Sequence, residues 1–115
     1  MTDHRKRILV CGGRDYWDRK RVFEVLDKLN VAEVIHGGAR GADMLSDTWA
    51  RAKGIPVKVY HPNWKEYGLA AGPIRNNEML QEKPDLVVAF PGQRGTKDMT
   101  QKALAAGIPV MTIEE

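Results

Sequence analysis

The sequence predicts an α/β protein, a single Rossmann-like three-layer sandwich built on a five-stranded parallel sheet. Three observations carry this. Short Val- and Ile-rich runs alternate along the chain with longer segments of helical periodicity, the pattern of a parallel sheet covered by helices on both faces. The unit Ala-Lys-Gly-Ile-Pro-Val at 52–57 recurs as Ala-Ala-Gly-Ile-Pro-Val at 105–110, so the chain leaves a helix for a strand in the same way twice. No linker or low-complexity tract interrupts the 115 residues, which therefore read as one domain, 1–115.

Each element has its own signal. Ile8-Leu9-Val10-Cys11 is apolar without alternation, as a strand buried on both faces must be. Val22, Val25, Leu26 and Leu29 recur at helical spacing, with Asp18 placed to cap that helix. Glu33 to Ile35 is a short second strand. Ala42, Leu45, Trp49 and Ala52 mark a second helix, which Gly54 can end in the left-handed conformation. Val57 to Tyr60 makes the third strand. Pro73 suits a first helical position and opens a helix running to about Glu82. Leu86 to Phe90 is the clearest strand, Met99, Ala103 and Ala106 line the next helix, and Val110 to Ile113 is the fifth strand. The first strand is expected at the centre.

Composition bounds the function. The hydrophobic content of 43% and charged content of 29% are those of a soluble globular protein. The formal net charge is +3, and much of it lies in His4-Arg5-Lys6-Arg7, read as a solvated N-terminal arm rather than a nucleic-acid patch. One cysteine, Cys11, excludes an intrachain disulfide and suits a reducing cytoplasm. No signal peptide or membrane-spanning run is visible, so a cytoplasmic protein with no membrane partner is expected.

The motifs lie in the loops. CGGRDYWD (11–18) follows the first strand, HGGARGAD (36–43) the second and PGQRGTKD (91–98) the fourth. Each holds glycine and then arginine and ends in aspartate. In a parallel sheet all three emerge at the carboxyl edge, where open α/β sheets bind ligands at the point of strand reversal. Glycines let backbone N–H groups approach an anion, and a following helix adds unpaired N–H groups and a partial positive charge. Arg40 and Arg94 could grip a phosphate bidentately. The closing aspartates would cap helices or accept ribose hydroxyls. The expected ligand is phosphate-bearing and small. No loop fits G-x-G-x-x-G or ends in Gly-Lys-Ser/Thr, which argues against a dehydrogenase and a P-loop NTPase.

CGGRDY, HGGARGAD followed by Trp49-Ala50, AGPIRNNEM (71–79) and AFPGQRGT (89–96) together resemble the SLOG superfamily, in its YspA-like, YpsA-related branch. The resemblance implies a Rossmann-like fold and a nucleotide or nucleotide-derived ligand, sensed or processed. With the loops it designates Gly12, Gly13, Arg14, Asp15, Gly37, Gly38, Arg40, Gly41, Asp43, Arg75, Asn76, Gly92, Arg94, Gly95 and Thr96 as ligand-binding candidates. More distantly the chain is similar to the Lonely Guy phosphoribohydrolases, which cleave the N-glycosidic bond of nucleoside monophosphates. Their P-G-G-x-G-T-x-x-E loop is matched at Pro91, Gly92, Gly95 and Thr96, with Gln93 in place of the second glycine. Arg75 matches their helix arginine, with Asn76 where lysine is usual. Met99 stands at the position of their catalytic glutamate. Asp98 precedes it by about 100° of helical rotation and is expected to be turned partly away, leaving Arg75 and Asp98 as the catalytic candidates. HGGARGAD and PIRNNEM are also similar to DNA-processing protein A, a single-strand DNA-binding factor.

Trp64 and Tyr67 could form an aromatic lid or cover the sheet edge. His36 and His61 read as structural strand ends, and Cys11 as a small apolar one. The histidines and cysteine have no metal-ligand spacing, so no cofactor is required, although a magnesium ion could ride on a bound phosphate. Three functions stand: a nucleotide-ligand module, which is favoured; a phosphoribohydrolase; and a single-strand nucleic-acid binder. The chain leaves a homo-oligomer open.

Overall fold

The structure, a computed structural model, describes residues 4–114. Strand β1 (Lys6–Cys11) is followed by α1 (Arg19–Asp27), β2 (Val31–His36), α2 (Ala42–Ala52) and β3 (Val57–Val59). A short helix α3 (Trp64–Tyr67) and a 3-10 turn (Gly68–Ala70) lead into α4 (Ala71–Leu80), then β4 (Leu86–Ala89), α5 (Arg94–Ala105) and β5 (Val110–Thr112). The strands form one sheet in the order β3-β2-β1-β4-β5, and every neighbouring pair is parallel. The expected five-stranded parallel sandwich is what forms, with β1 central.

Side-chain alternation along β1 divides the core. Ile8 and Val10 pack with Val22 and Leu26 of α1 and Leu45 and Trp49 of α2. Leu9 and Cys11 face the other way, onto Met79 of α4 and Met99 and Ala103 of α5. Successive strand side chains point to opposite faces, so an unbroken apolar run feeds both layers. Each large side chain withdrawn this way contributes about 1.5–3 kcal/mol. Trp49 Nε1 also donates to Asp27 Oδ1 at 2.9 Å, tying α2 to the end of α1.

Local signals hold with some corrections. Asp18 caps α1 by accepting the Arg21 N–H at 3.0 Å, and Gly54 takes φ +71 just past α2. Strand β2 starts at Val31, two residues earlier than expected, because Lys6 N–H already bonds the Asn30 carbonyl across to β1. Pro73 is the third residue of α4, not the first. The 3-10 turn carries the chain into the helix earlier, and a first-turn residue has no N–H bond to lose. The helix stops at Leu80, short of Glu82, and Lys83 is left-handed (φ +53).

The basic arm is also corrected. Lys6 and Arg7 belong to β1, and Arg7 is bound into ion pairs with Glu33 at 3.1 Å and Glu82 at 2.8 Å. No helix of the described residues is long and apolar enough to cross a membrane.

Candidate functional site

The three glycine-arginine loops meet at the carboxyl edge, and Gly13 stitches them together. Its N–H donates to the Pro91 carbonyl at 2.8 Å, and its own carbonyl accepts the Ala42 N–H at 3.2 Å. Such contact needs bare backbone. A Cβ on Gly12 would lie 2.6 Å from Ala42 Cβ, and one on Gly92 would overlap Thr96 Oγ1. Gly41 has φ +81 and its missing Cβ would strike the Gly13 carbonyl, so close approach and a left-handed turn coincide there. Tyr16, stacked on Phe90 at 5.6 Å between ring centroids, anchors the first loop from outside.

The loops are alike in sequence but not in geometry. Helix α1 starts at Arg19 after a long first loop, and none of its residues lines the cleft below. The start of α2 is covered by the first loop, through the bond from Ala42 to Gly13. Of the helices that follow the three loops, α5 opens most of its first turn to the cleft, at Arg94, Gly95 and Thr96, ahead of the first helical bond from Lys97 N–H to the Gln93 carbonyl at 2.9 Å, whereas α2 brings only Asp43 to it. The expectation of three equivalent anion-facing helix starts is thereby reduced to one.

The closing aspartates diverge as well. Asp18 is an N-cap. Asp43, 6% exposed, accepts the N–H groups of Gly37 at 3.2 Å and Ala39 at 3.1 Å and so holds its own loop closed. Burial raises its pKa, against the lowering effects of His36, those loop N–H groups and Arg75. Asp98 takes a third role.

The cleft between β1, β4 and the starts of α4 and α5 has a volume of about 740 Å³, within the range of ligand pockets. Gly12, Gly13, Arg14, Asp15, Asp43, Arg75, Asn76, Gly92, Arg94, Gly95, Thr96 and Asp98 all line it, so the structure brings twelve sequence-predicted residues to one place. Gly37, Gly38 and Arg40 line a smaller adjoining hollow, and Gly41 lies buried beneath the first loop.

A hydrogen-bonded relay forms the cleft floor. Arg75 Nη1 donates to the Gly37 carbonyl at 2.7 Å and its Nε to Asn76 Oδ1 at 3.2 Å. Asn76 Nδ2 donates to Asp98 Oδ2 at 2.9 Å, and Lys102 Nζ closes on the same oxygen at 3.0 Å. Burial lowers the Arg75 pKa, and the nearby Arg14 charge lowers it further, while Asp43 opposes. The guanidinium fills the space a Cβ on Gly37 would take, so that glycine exists for Arg75.

Positions 98 and 99 are the reverse of the sequence expectation. Met99 has no accessible surface and packs in the core against the sheet, where a carboxylate would be stranded. Asp98, the fifth residue of α5, points to the cleft. The helix begins at Arg94, and its apolar positions 99 and 103 fix which face lies down on the sheet.

The aromatic segment lies at the rim. Trp64 lines both hollows, the Arg14 guanidinium stands 5.4 Å from its ring centroid, and Tyr67 is exposed. Leu69, which sequence reasoning did not single out, also lines the cleft while 94% exposed. It lies in a short segment with no periodicity to flag it. His36 is structural, as expected. Its Nδ1 accepts the Gly38 N–H at 3.0 Å, which leaves the proton on Nε2, 2.8 Å from Asp47 Oδ1. His61 covers Gly38. Cys11 is buried, and burial pushes its thiol pKa up.

Comparison with known proteins decides the family. Residues 6–67 match the YspA, cpYpsA-related SLOG family. The chain belongs to this family. It is also 39% identical over 118 residues to the Gene 61 protein of Mycobacterium phage D29, covering 92% of this chain and 94% of that relative. No significant match is found among solved structures. Membership in this SLOG family suggests a nucleotide-related ligand-binding role. The matched residues include the first two glycine-arginine loops and end at Tyr67, before Arg75 and the α5 loop.

Proposed function

We propose that the cleft binds a nucleotide or nucleotide-derived ligand through its phosphate, as a sensing or processing module. The observation that carries this is the open first turn of α5 at one end of a 740 Å³ cleft, with Arg75 and Arg14 alongside and Trp64 at the rim. Free N–H groups and a helix start favour an anion. Arginines supply charge-assisted contacts, and an exposed indole offers a base a stacking face. Among the described residues no three metal-ligating side chains gather, so a magnesium ion would come with the ligand's phosphate.

The test is a thermal-shift panel of nucleoside monophosphates against the wild type and Arg75→Ala. A monophosphate should raise the melting temperature by mass action, and Arg75→Ala should weaken it roughly tenfold or more, as loss of a charge-assisted contact does. Single-stranded DNA should bind weakly, with affinity falling steeply as salt rises. Tight, length-dependent oligonucleotide binding at physiological salt, without any response to mononucleotides, would replace this reading with the nucleic-acid one.

A second reading is favoured by one observation, the Asp98 carboxylate at the cleft. Asn76 and Lys102 both approach its Oδ2. Oδ1 would then take a proton from a water attacking the anomeric carbon as the glycosidic bond breaks, and the same proton would pass to the departing base. Free base released from nucleoside monophosphates by the wild type and lost in Asp98→Asn would establish hydrolysis. Binding with no release in either protein would leave a sensor.

A further inference from the structure

The cleft does not end at the mononucleotide-sized space. A second hollow of about 420 Å³ adjoins it, and Arg14, Ala39, Trp64 and Arg75 line both. Its remaining wall brings Arg40 and His61 beside the Gly37-Gly38 backbone. Among the described residues no carboxylate lines it, while three arginines do. We propose that this hollow is a second phosphate subsite, and that the ligand is a nucleotide carrying two phosphoryl groups, one at the α5 start and one at Arg40 and Arg14. The inference rests on the reading of the main cleft as a nucleotide site.

The geometry at the mouth supports it. Arg40 is held by Asp15 at 3.0 Å, yet these side chains are 67% and 88% exposed. Such a surface pair is weak, so a dianionic phosphate would displace the carboxylate at little cost. Asp15 lines the main cleft and Arg40 only the side hollow, so the pair spans the boundary between them. Arg14 stands over the Trp64 ring and lines both hollows. The Arg14 charge stands close enough to disfavour that of Arg75, an arrangement that an anion between them relieves.

The experiment measures binding of nucleoside 5′-monophosphate, 5′-diphosphate and 3′,5′-bisphosphate, over the common bases, to the unmodified chain, Arg40→Ala and Asp15→Asn. One doubly phosphorylated probe should bind about tenfold tighter than the monophosphate. Which one it is tells whether the second phosphate follows the first directly or lies across the ribose. In Arg40→Ala the ratio of the two affinities should fall to about one, with the unliganded melting temperature near that of the wild type. In Asp15→Asn the ratio should rise, since the competing carboxylate is gone. A wild-type ratio near one, a ratio unchanged in Arg40→Ala, or one that falls in Asp15→Asn overturns the second subsite while leaving the nucleotide cleft standing. Failure of every nucleotide to bind overturns both, and affinity that grows with length for 5′-phosphorylated single strands assigns the hollow to nucleic acid instead.

Discussion

Two glycines three residues apart at the α5 loop carry opposite burdens. A Cβ on Gly92 would overlap Thr96 Oγ1 and lie 2.8 Å from the Gly13 amide nitrogen, whereas one on Gly95 would meet nothing within 4 Å beyond its chain neighbours and the backbone of its own helix. Gly92→Ala must push the loops apart and should cost about 1–3 kcal/mol, as overpacking does. Gly95→Ala sits in the first turn of a helix, where alanine loses less entropy, and should hold or raise stability by up to about 1 kcal/mol. Its added methyl stands at the cleft and should weaken nucleotide binding. Chemical denaturation with a ligand titration on both variants checks the pair, and a stable Gly95→Ala that binds normally would show that the ligand keeps clear of the α5 start. The glycine-arginine pattern made the identity of most cleft residues legible. Their roles were not, because a one-residue shift along a helix turns a side chain by about 100°. Position 98 or 99 faces the ligand according to where α5 starts and which side lies on the sheet. The loop-closing role of Asp43 was hidden for a similar reason. A carboxylate that closes its own loop has the same sequence signature as one offered to a ribose.

At the scale of elements, the far end of α4 is locked by a polar cluster that the sequence hid. Glu82 accepts from Arg7, Lys58 and the Tyr60 hydroxyl, and Arg7 Nη1 also donates to the Glu82 carbonyl at 2.6 Å. Three segments separated by up to 75 residues converge there, and no local pattern announces such a meeting. The hydrogen bond from Tyr60, with those of Lys58 and Arg7, holds the Glu82 carboxyl down to about 2, while the same carboxylate pushes Tyr60 up to about 12. The signs follow from linkage. A depressed carboxylate stabilises the fold above the ordinary glutamate value of about 4.3, and that stability is lost as pH falls toward about 2. A raised tyrosine stabilises below about 10, and its share is lost as pH rises through about 12. Glu82→Gln should therefore melt below the wild type at pH 7, and the gap should narrow as the pH is lowered from about 5 toward 2. Melting curves across that range check it, and a gap independent of pH would mean that the charge of Glu82 contributes nothing. The strands and the helix caps, by contrast, were legible because Asp18, Gly54 and the apolar runs act within a few residues of themselves.

The molecule as a whole grades from a rigid centre to a loose rim, and binding should be read along that gradient. Ile8, Leu9, Val10, Val87 and Val88 have no accessible surface, and β1 is bonded to a strand on each side. The parallel sheet followed from the alternation of elements, and the central place expected of β1 is the one it takes. Residues 63–70 are the opposite case. Every one is exposed, α3 has four residues, and its cap is one Asn63 side chain accepting the Glu66 N–H at 3.1 Å. Too short for periodicity and too little buried for an apolar signature, this segment was assigned no element from sequence. Exchange protection falls where buried contacts are few. The amides of Ile8 to Val10 and of Val87 and Val88 should therefore exchange slowest, at the global unfolding free energy, and those of 63–70 fastest. A nucleotide filling the cleft touches the loose end of this gradient, because Trp64 and Leu69 line it along with Gly13 and Gly95. Saturating ligand should slow exchange at 64–70 and at 93–96 more than mass action slows the sheet. Hydrogen exchange followed by mass spectrometry resolves these segments. Protection rising equally everywhere would mean that the ligand stabilises only the globally folded state, and that the Trp64 segment takes no part in holding it.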